Sequence, residues 1–244
     1  MRNIRLDICY DGTRYRGWQR LSGTDNTIQG KLEQTLSRIL EEDVAVSASG
    51  RTDAGTHAKM QVVSFHCRSE MPCNQLLEKL RRYLPEDIGV YSCRNASPHF
   101  HARLNVKEKT YCYRVWNSTA PCVFDRKYVY CDTREVDVER MQKAAQLFIG
   151  QHNFSAFCAN TKMKKSTERY ISAIFVERVS DEIRFTVTGN GFLHHMVRIM
   201  VGTLLEIGRG EREINSIPAL FGGVRSDAGE LIPASGLCLM EVFY

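Results

Sequence analysis

The chain has 244 residues, 43% of them hydrophobic and 25% charged, enough for one large domain or two modest ones with separate cores. Its 33 Lys and Arg against 28 Asp and Glu leave a net charge of +5, which permits a polyanionic partner without requiring one. Apolar stretches are too short and too often broken by charge to span a bilayer, and Met1–Asp7 has no signal-peptide apolar core, so a soluble, cytoplasmic protein with no membrane partner is expected.

Ile4, Leu6, Ile8 and Tyr10 alternate with polar residues, the period-two pattern of a strand with one buried face, and Asp11-Gly12 ends it in a turn. From Thr27, Ile28, Leu32, Leu36, Ile39 and Leu40 recur at helical spacing. A strand is expected over 44–49, then a glycine-bounded loop, then a strand through Val62, Val63 and Phe65. A helix carrying Leu76, Leu77, Leu80 and Tyr83 stops before Pro85, and Ile88 and Val90 begin another strand. Periodicity breaks at Asn95-Ala96-Ser97-Pro98, which sets a boundary near 95–106.

Beyond it, Tyr111, Tyr113 and Val115 alternate with Cys112, Arg114 and Trp116 as a strand, and Tyr128–Cys131 reads as a short one. A helix is expected from Val138, after Asp137, to Ile149, closed by Gly150. Strands near 169–178 and 182–189 precede a helix over Phe192–Ile207, a shorter one over Ile214–Phe221 and a last strand at 237–243. Each half runs strand, helix, strands, helix, strand, so an α+β protein of two similar units is expected, 1–103 and 104–244.

Ser49-Gly50-Arg51-Thr52-Asp53-Ala54-Gly55-Thr56-His57 confines one carboxylate, Asp53, between two glycines that can bend a loop sharply and admit a ligand. Arg51, two residues away, is a cation that would hold that carboxylate ionised, and an ionised, oriented carboxylate acts as nucleophile or base. Taken alone, the pattern reads as a tight turn with a capping or salt-bridging acid. Basic residues gather near aromatics in Arg14-Tyr15-Arg16-Gly17-Trp18-Gln19-Arg20 and in Lys162–Arg169; such segments neutralise phosphates and stack on unpaired bases, or are simply solvated loops. Tyr111 fits a core position as well as a cleft, and Lys107 and Lys109 lie on one side of its extended chain.

In the helix expected from Phe192, Arg198 follows His194 by four residues and shares its face, while His195 points about 100° away. A guanidinium on so apolar a helix needs a partner, usually a carboxylate, and Asp53 is one candidate among the acids. The 7 histidines lack metal-site spacing and no metal is expected. Nucleotide-binding and serine-hydrolase motifs are absent. The 9 cysteines show no paired spacing and read as reduced, mostly buried residues.

Several blocks resemble the TruA-type tRNA pseudouridine synthases: Tyr10-Asp11-Gly12-Thr13 with Gly17-Trp18-Gln19-Arg20, Gly50–Gly55 with His57-Ala58, Gln61-Val62-Val63, Leu84-Pro85 with Asp87-Ile88, and Phe100-His101-Ala102-Arg103. Tyr111 with Tyr113, Gly150, Phe154, Phe157, Asn190–Gly202 and Gly236-Leu237 extend the resemblance over the second half. It implies an α+β fold of two related units joined through a shared, mainly antiparallel sheet, with helices on one face and a central catalytic cleft.

The implied activity is isomerisation of uridine to pseudouridine in the anticodon stem-loop of tRNA, at tRNA positions 38, 39 and 40, by a homodimer without metal or cofactor. Asp53 falls on the family's catalytic aspartate, Tyr111 on the tyrosine that stacks against the target base, and Arg198 on the arginine that pairs with the aspartate. Arg51, Arg14, Arg16, Arg20, Lys109, His57 and Asn190 are the further RNA contacts. Departures at Ser49, Thr56, Met60 and Ser64 remove no group the chemistry needs. The alternatives are a synthase acting on another structured RNA, such as ribosomal RNA, and a non-catalytic RNA-binding protein on the same fold.

Overall fold

The computed structural model describes residues 1–160 and 162–244. Two compact units divide the chain: Met1–Lys107 together with Leu239–Tyr244, and Glu108–Cys238. Both are mixed α+β, and the strand pairs described below run antiparallel save for one short parallel pair.

In the first unit β1 (Arg2–Tyr10) lies between β3 (His57–Cys67) and β4 (Ile88–Ala96), antiparallel to both. The alternation seen in the sequence puts Ile4, Leu6 and Ile8 fully inside. Their burial contributes roughly 1.5–3 kcal/mol per side chain. Two helices supply the other side of this core: α1 (Ile28–Leu40) buries Ile28, Leu32, Leu36 and Leu40, and α2 (Cys73–Tyr83) buries Leu76 and Leu80. Thr27 caps α1 by accepting the Gly30 N–H at 3.2 Å.

The strand expected over 44–49 shrinks to β2 (Ser47–Ala48), which pairs with β3. Side chains of α1 compete for its amides: the Val44 N–H donates to Ser37 Oγ at 2.9 Å and the Val46 N–H to Glu33 Oε1 at 3.0 Å. An N–H held by a helix side chain is lost to a ladder.

In the second unit the strands run in the order β5 (Glu108–Trp116), β9 (Glu182–Gly189), β8 (Glu168–Val179), β7 (Gly150–Asn153), with β6 (Tyr130–Cys131) parallel to β5. The polar Gly-Gln-His-Asn of β7 has no alternation, so no strand is expected there from the sequence. The helix expected to reach Ile149 ends sooner: α3 (Val138–Ala145) tightens into a 3₁₀ turn at Gln146–Phe148, and Gly150, with φ of 111°, swings the chain into β7. Ile214–Phe221 likewise resolves into a 3₁₀ turn followed by α5 (Ile217–Leu220).

The long helix α4 (Met196–Gly208) is the centre of this unit, buried at every residue except Arg198 and Glu206. Those two share one face with Gly202, and the segment Gly229–Pro233 lies along it. Arg198 Nε donates to the Ile232 carbonyl at 2.7 Å, and Glu206 Oε1 accepts the Glu230 N–H at 3.0 Å. Between them, a Cβ on Gly202 would sit 2.1 Å from the Glu230 carbonyl oxygen, so only glycine admits this approach.

None of the nine cysteines is in a disulfide, but only Cys67 and Cys158 are buried, six are half-buried and Cys131 is exposed. The expectation of mostly buried thiols is corrected: several sit on outward faces of strands, as Cys112 does on β5. No helix among the described residues is long and apolar enough to cross a membrane.

Asp132, at the end of β6, is buried and accepts two hydrogen bonds from the Arg134 side chain at 2.8 and 2.7 Å and one from Arg209 Nη1 at 3.3 Å. Burial alone would raise its pKa, but the hydrogen bonds and charges of Arg134, with the charge of Arg209, outweigh it and hold the carboxyl below its ordinary value of 3.8. A depressed carboxyl stabilises the fold fully above the ordinary value, and that stability is lost as pH falls from there through the folded value. Asp132→Asn should therefore cost about 1–3 kcal/mol at neutral pH. The gap to wild type should narrow below pH 3.8, as read by urea unfolding across a pH series.

Candidate active site

The Asp53 loop is held by the chain that precedes α1. Gly12 and Gly17 let that segment lie directly on the loop: a Cβ on Gly12 would meet the Thr56 carbonyl oxygen at 2.0 Å, and one on Gly17, whose φ is +88°, the Thr52 oxygen at 2.8 Å. Backbone bonds follow from this contact, Trp18 N–H to Thr52 O at 3.0 Å and Gly55 N–H to Tyr15 O at 3.4 Å. A buried side-chain pair, Tyr10 Oη with Thr52 Oγ1 at 2.8 Å, secures the residue before Asp53. After it, the Thr56 N–H closes a turn onto the Asp53 carbonyl at 3.1 Å, with Gly55 at φ of 77°.

The loop's entry is pinned as firmly. Fully buried Gln61 accepts from Ser49 Oγ and donates from Nε2 to the Gly50 carbonyl at 2.9 Å. Asp53 thus sits half-exposed on a short loop whose backbone is fixed on both sides, the condition for a carboxylate to be presented in one orientation.

Arg51 is exposed and, among the described residues, makes no ion pair with Asp53, so its expected part in holding that acid ionised is corrected. Of the other basic residues expected to face RNA, Arg14 is clasped by Asp87 through Nε at 3.0 Å and Nη2 at 2.6 Å. The hydrogen bond and charge of Asp87 raise its pKa. Arg20 pairs with Glu33 at 3.0 Å, whereas Arg16 is exposed.

His57 is buried and its Nδ1 accepts the Gly12 N–H at 3.1 Å. Asp11 Oδ1 also lies 3.1 Å from Nδ1, but an amide N–H can only donate, so Nδ1 is the acceptor and the Asp11 contact is no ion pair in that tautomer. His57 therefore serves the loop's structure.

In the second unit Tyr111 is buried on β5, opposite Val187, with its ring edge-on to Phe192 at 5.1 Å and 86°. Arg198 is aimed by the Ile232 carbonyl described above, and the next residue, Pro233, accepts from the Tyr113 hydroxyl at 2.6 Å. Asn190 is exposed but engaged locally: its Oδ1 accepts the Tyr170 N–H at 3.1 Å and its own N–H donates to Tyr170 O at 3.0 Å, closing the end of β8 and β9. Lys109, half-buried, pairs with Gly189 across the same sheet.

The helix expected from Phe192 begins only at Met196, because His195 takes the left-handed region at φ of 63°. His194 precedes the helix and its carbonyl accepts the Ala159 N–H at 3.0 Å, so His194 and Arg198 do not share a helical face. The two imidazoles instead lie with centroids 3.7 Å apart. Sequence reasoning did not single out the Tyr10–Thr52 pair, Ser49 with Gln61, or Gly229–Pro233 beneath Arg198; Gly-rich punctuation around 222–236 was the one available sign of the last.

A family model described as tRNA pseudouridine synthase matches residues 8–105 and 144–244. The chain is 40% identical over 245 residues to tRNA pseudouridine synthase A 2 of Clostridium perfringens, covering 100% of both chains. It is 42% identical to tRNA pseudouridine synthase A of a Bacillus species and 42% to tRNA pseudouridine synthase A 1 of Clostridium tetani, again over 100% of each. A chain of a solved Cbf5-Nop10-Gar1 complex aligns with 97% of this chain and 48% of its own length at 10% identity, and its TM-score of 0.42 is too low to carry an argument.

Gly12→Ala should drive the loop off its support, lowering unfolding free energy by roughly 1–3 kcal/mol. Amide resonances of Thr52–His57 should shift with it; an unchanged loop spectrum and unchanged urea midpoint would show that the contact at Thr56 yields at no cost.

Proposed function

The chain belongs to the tRNA pseudouridine synthase family, and from that membership we propose that it isomerises uridine to pseudouridine in the anticodon stem-loop of tRNA. The observation that carries the reading is Asp53, a half-exposed carboxylate at the centre of a loop whose backbone is locked by Gly12, Gly17 and the Tyr10–Thr52 pair. A merely structural acid needs no such fixing. A reacting one does, because orientation lowers the barrier only if it is set beforehand.

The reaction balances without oxidant, reductant or co-substrate. The bond from uracil N1 to ribose C1′ breaks, the uracil turns while retained, C5 bonds to C1′, and the C5 proton leaves as N1 gains one. Asp53 starts it by attacking C1′, by attacking C6, or by removing the 2′ proton; each route requires the ionised carboxylate. Because a stacked base hides these atoms, the target nucleotide is extruded from its stack. Tyr111 is assigned the aromatic face for the uracil, and Arg198 the permanent positive charge that favours the ionised acid. Arg16, Arg51 and the lysines near 162–169 supply phosphate contacts. The reading includes a homodimer working in the cytoplasm.

Purified protein should release tritium from C5-labelled uridine in unmodified tRNA. Asp53→Asn, which keeps size and hydrogen-bonding shape, should reduce that release by more than about 10³-fold while tRNA binding stays within a few-fold. Wild-type release by the Asn variant would remove Asp53 from the chemistry. Mapping the product positions separates the anticodon stem-loop from ribosomal RNA.

A further inference from the structure

On the first unit, the exposed sides of α1 and α2 flank an open groove of about 420 Å³, a size that admits a nucleotide-sized group. Lys31, Gln34, Thr35 and Arg38 line it from α1, spaced i, i+3, i+4 and i+7 and so on one helix face. Lys79 and Tyr83 line it from α2. The one acid present is Glu41, just past the end of α1.

The cations here differ from two of those near the Asp53 loop. Arg14 and Arg20 are occupied by Asp87 and Glu33, whereas no ion pair engages Lys31, Arg38 or Lys79 among the described residues. Tyr83 organises part of the charge: the guanidinium carbons of Arg38 and Arg82 lie 5.9 and 5.7 Å from its ring centroid. Three cations, an amide and two hydroxyls thus converge on one concavity and match a phosphate ester in charge and in hydrogen-bonding capacity.

Spacing decides between a single phosphate and a chain of them. Lys31 and Arg38 are seven residues apart, about 10 Å along the helix. That span is too long for one phosphate and suits successive phosphates of a strand. Pro85 lines the groove, and Asp87, two residues on, holds Arg14 and Tyr15 of the segment that clamps the Asp53 loop. A strand seated there is held by the unit that carries Asp53.

We propose that the groove between α1 and α2 is a second RNA-binding surface that grips the phosphate backbone of the substrate apart from the reacting uridine. The inference rests on the tRNA-modifying function proposed above. Its role is affinity: each lysine that displaces a counterion adds about one to the salt dependence of binding and nothing to the chemical step.

The test compares two variants of equal charge in the full-length protein, Lys31→Gln/Lys79→Gln in the groove and Lys127→Gln/Lys143→Gln on exposed positions of the second unit. Binding of unmodified tRNA is measured across a salt series, together with tritium release. The groove variant should bind about 5- to 20-fold more weakly, with a log–log salt slope lower by about 2, a raised KM and an unchanged kcat. The control should stay within twofold.

Equal effects in the two variants would reduce the result to overall charge and overturn the proposal, as would an unchanged slope in the groove variant. Inorganic phosphate or adenosine monophosphate that stabilises wild type but not the groove variant, with tRNA binding unchanged, would reassign the groove to a small phosphate ligand. Failure of wild type to release tritium from tRNA would instead strike the proposed function, leaving the salt slopes to judge the groove.

Discussion

The first unit turns on a close approach of backbone to backbone. Gly12 and Gly17 let residues 12–18 lie against residues 52–56 at distances no side chain tolerates, and the bonds between these two segments follow. Once the two segments touch, the Trp18 N–H can donate to Thr52 and the Gly55 N–H to Tyr15 across the contact, Tyr10 can reach Thr52, and His57 can accept from Gly12. Apolar burial gives the unit its stability, but it does not orient a carboxylate. Orientation comes from these few directional bonds, each costly to leave unmade in a buried setting.

The second unit uses the same device on a helix. An α4 that is uncharged save at Arg198 and Glu206 would leave both side chains free to choose rotamers. Gly202 between them admits the Gly229–Pro233 segment, whose backbone then satisfies one from each end. Long polar side chains lose considerable rotamer freedom when so held. That ordering is completed during folding, before any ligand arrives.

Much of this was legible because it is local. The alternation of β1 and β5 and the stripe of α1 depend on neighbours in sequence, and they appear where the pattern places them. Asp53 drew attention through its flanking glycines and Arg198 as a lone guanidinium on an apolar helix, while only the resemblance linked the two. What escaped was decided at long range or by a single dihedral. Ser37 and Glu33 took the amides that a strand at 44–49 needed. The apolar period of α4 runs back through Leu193, and only the positive φ of His195 stops the helix there. Gln61, which looks like one more strand residue, is the anchor of Gly50 through a bond across 11 positions.

The chain's last residues return to its first unit: Leu239–Tyr244 cluster with Met1–Lys107, the Tyr244 hydroxyl donates to the Ala102 carbonyl at 2.7 Å, and its ring lies 4.8 Å from the Arg5 guanidinium carbon. A unit built from two stretches with the whole second unit between them in sequence closes only when those distant stretches meet, a loop-closure cost that the second unit, continuous in sequence, does not carry. The loop that presents Asp53 therefore belongs to the unit with the longer-range assembly, and a change that loosens Tyr244 reaches that loop's own unit although it lies at the other end of the sequence.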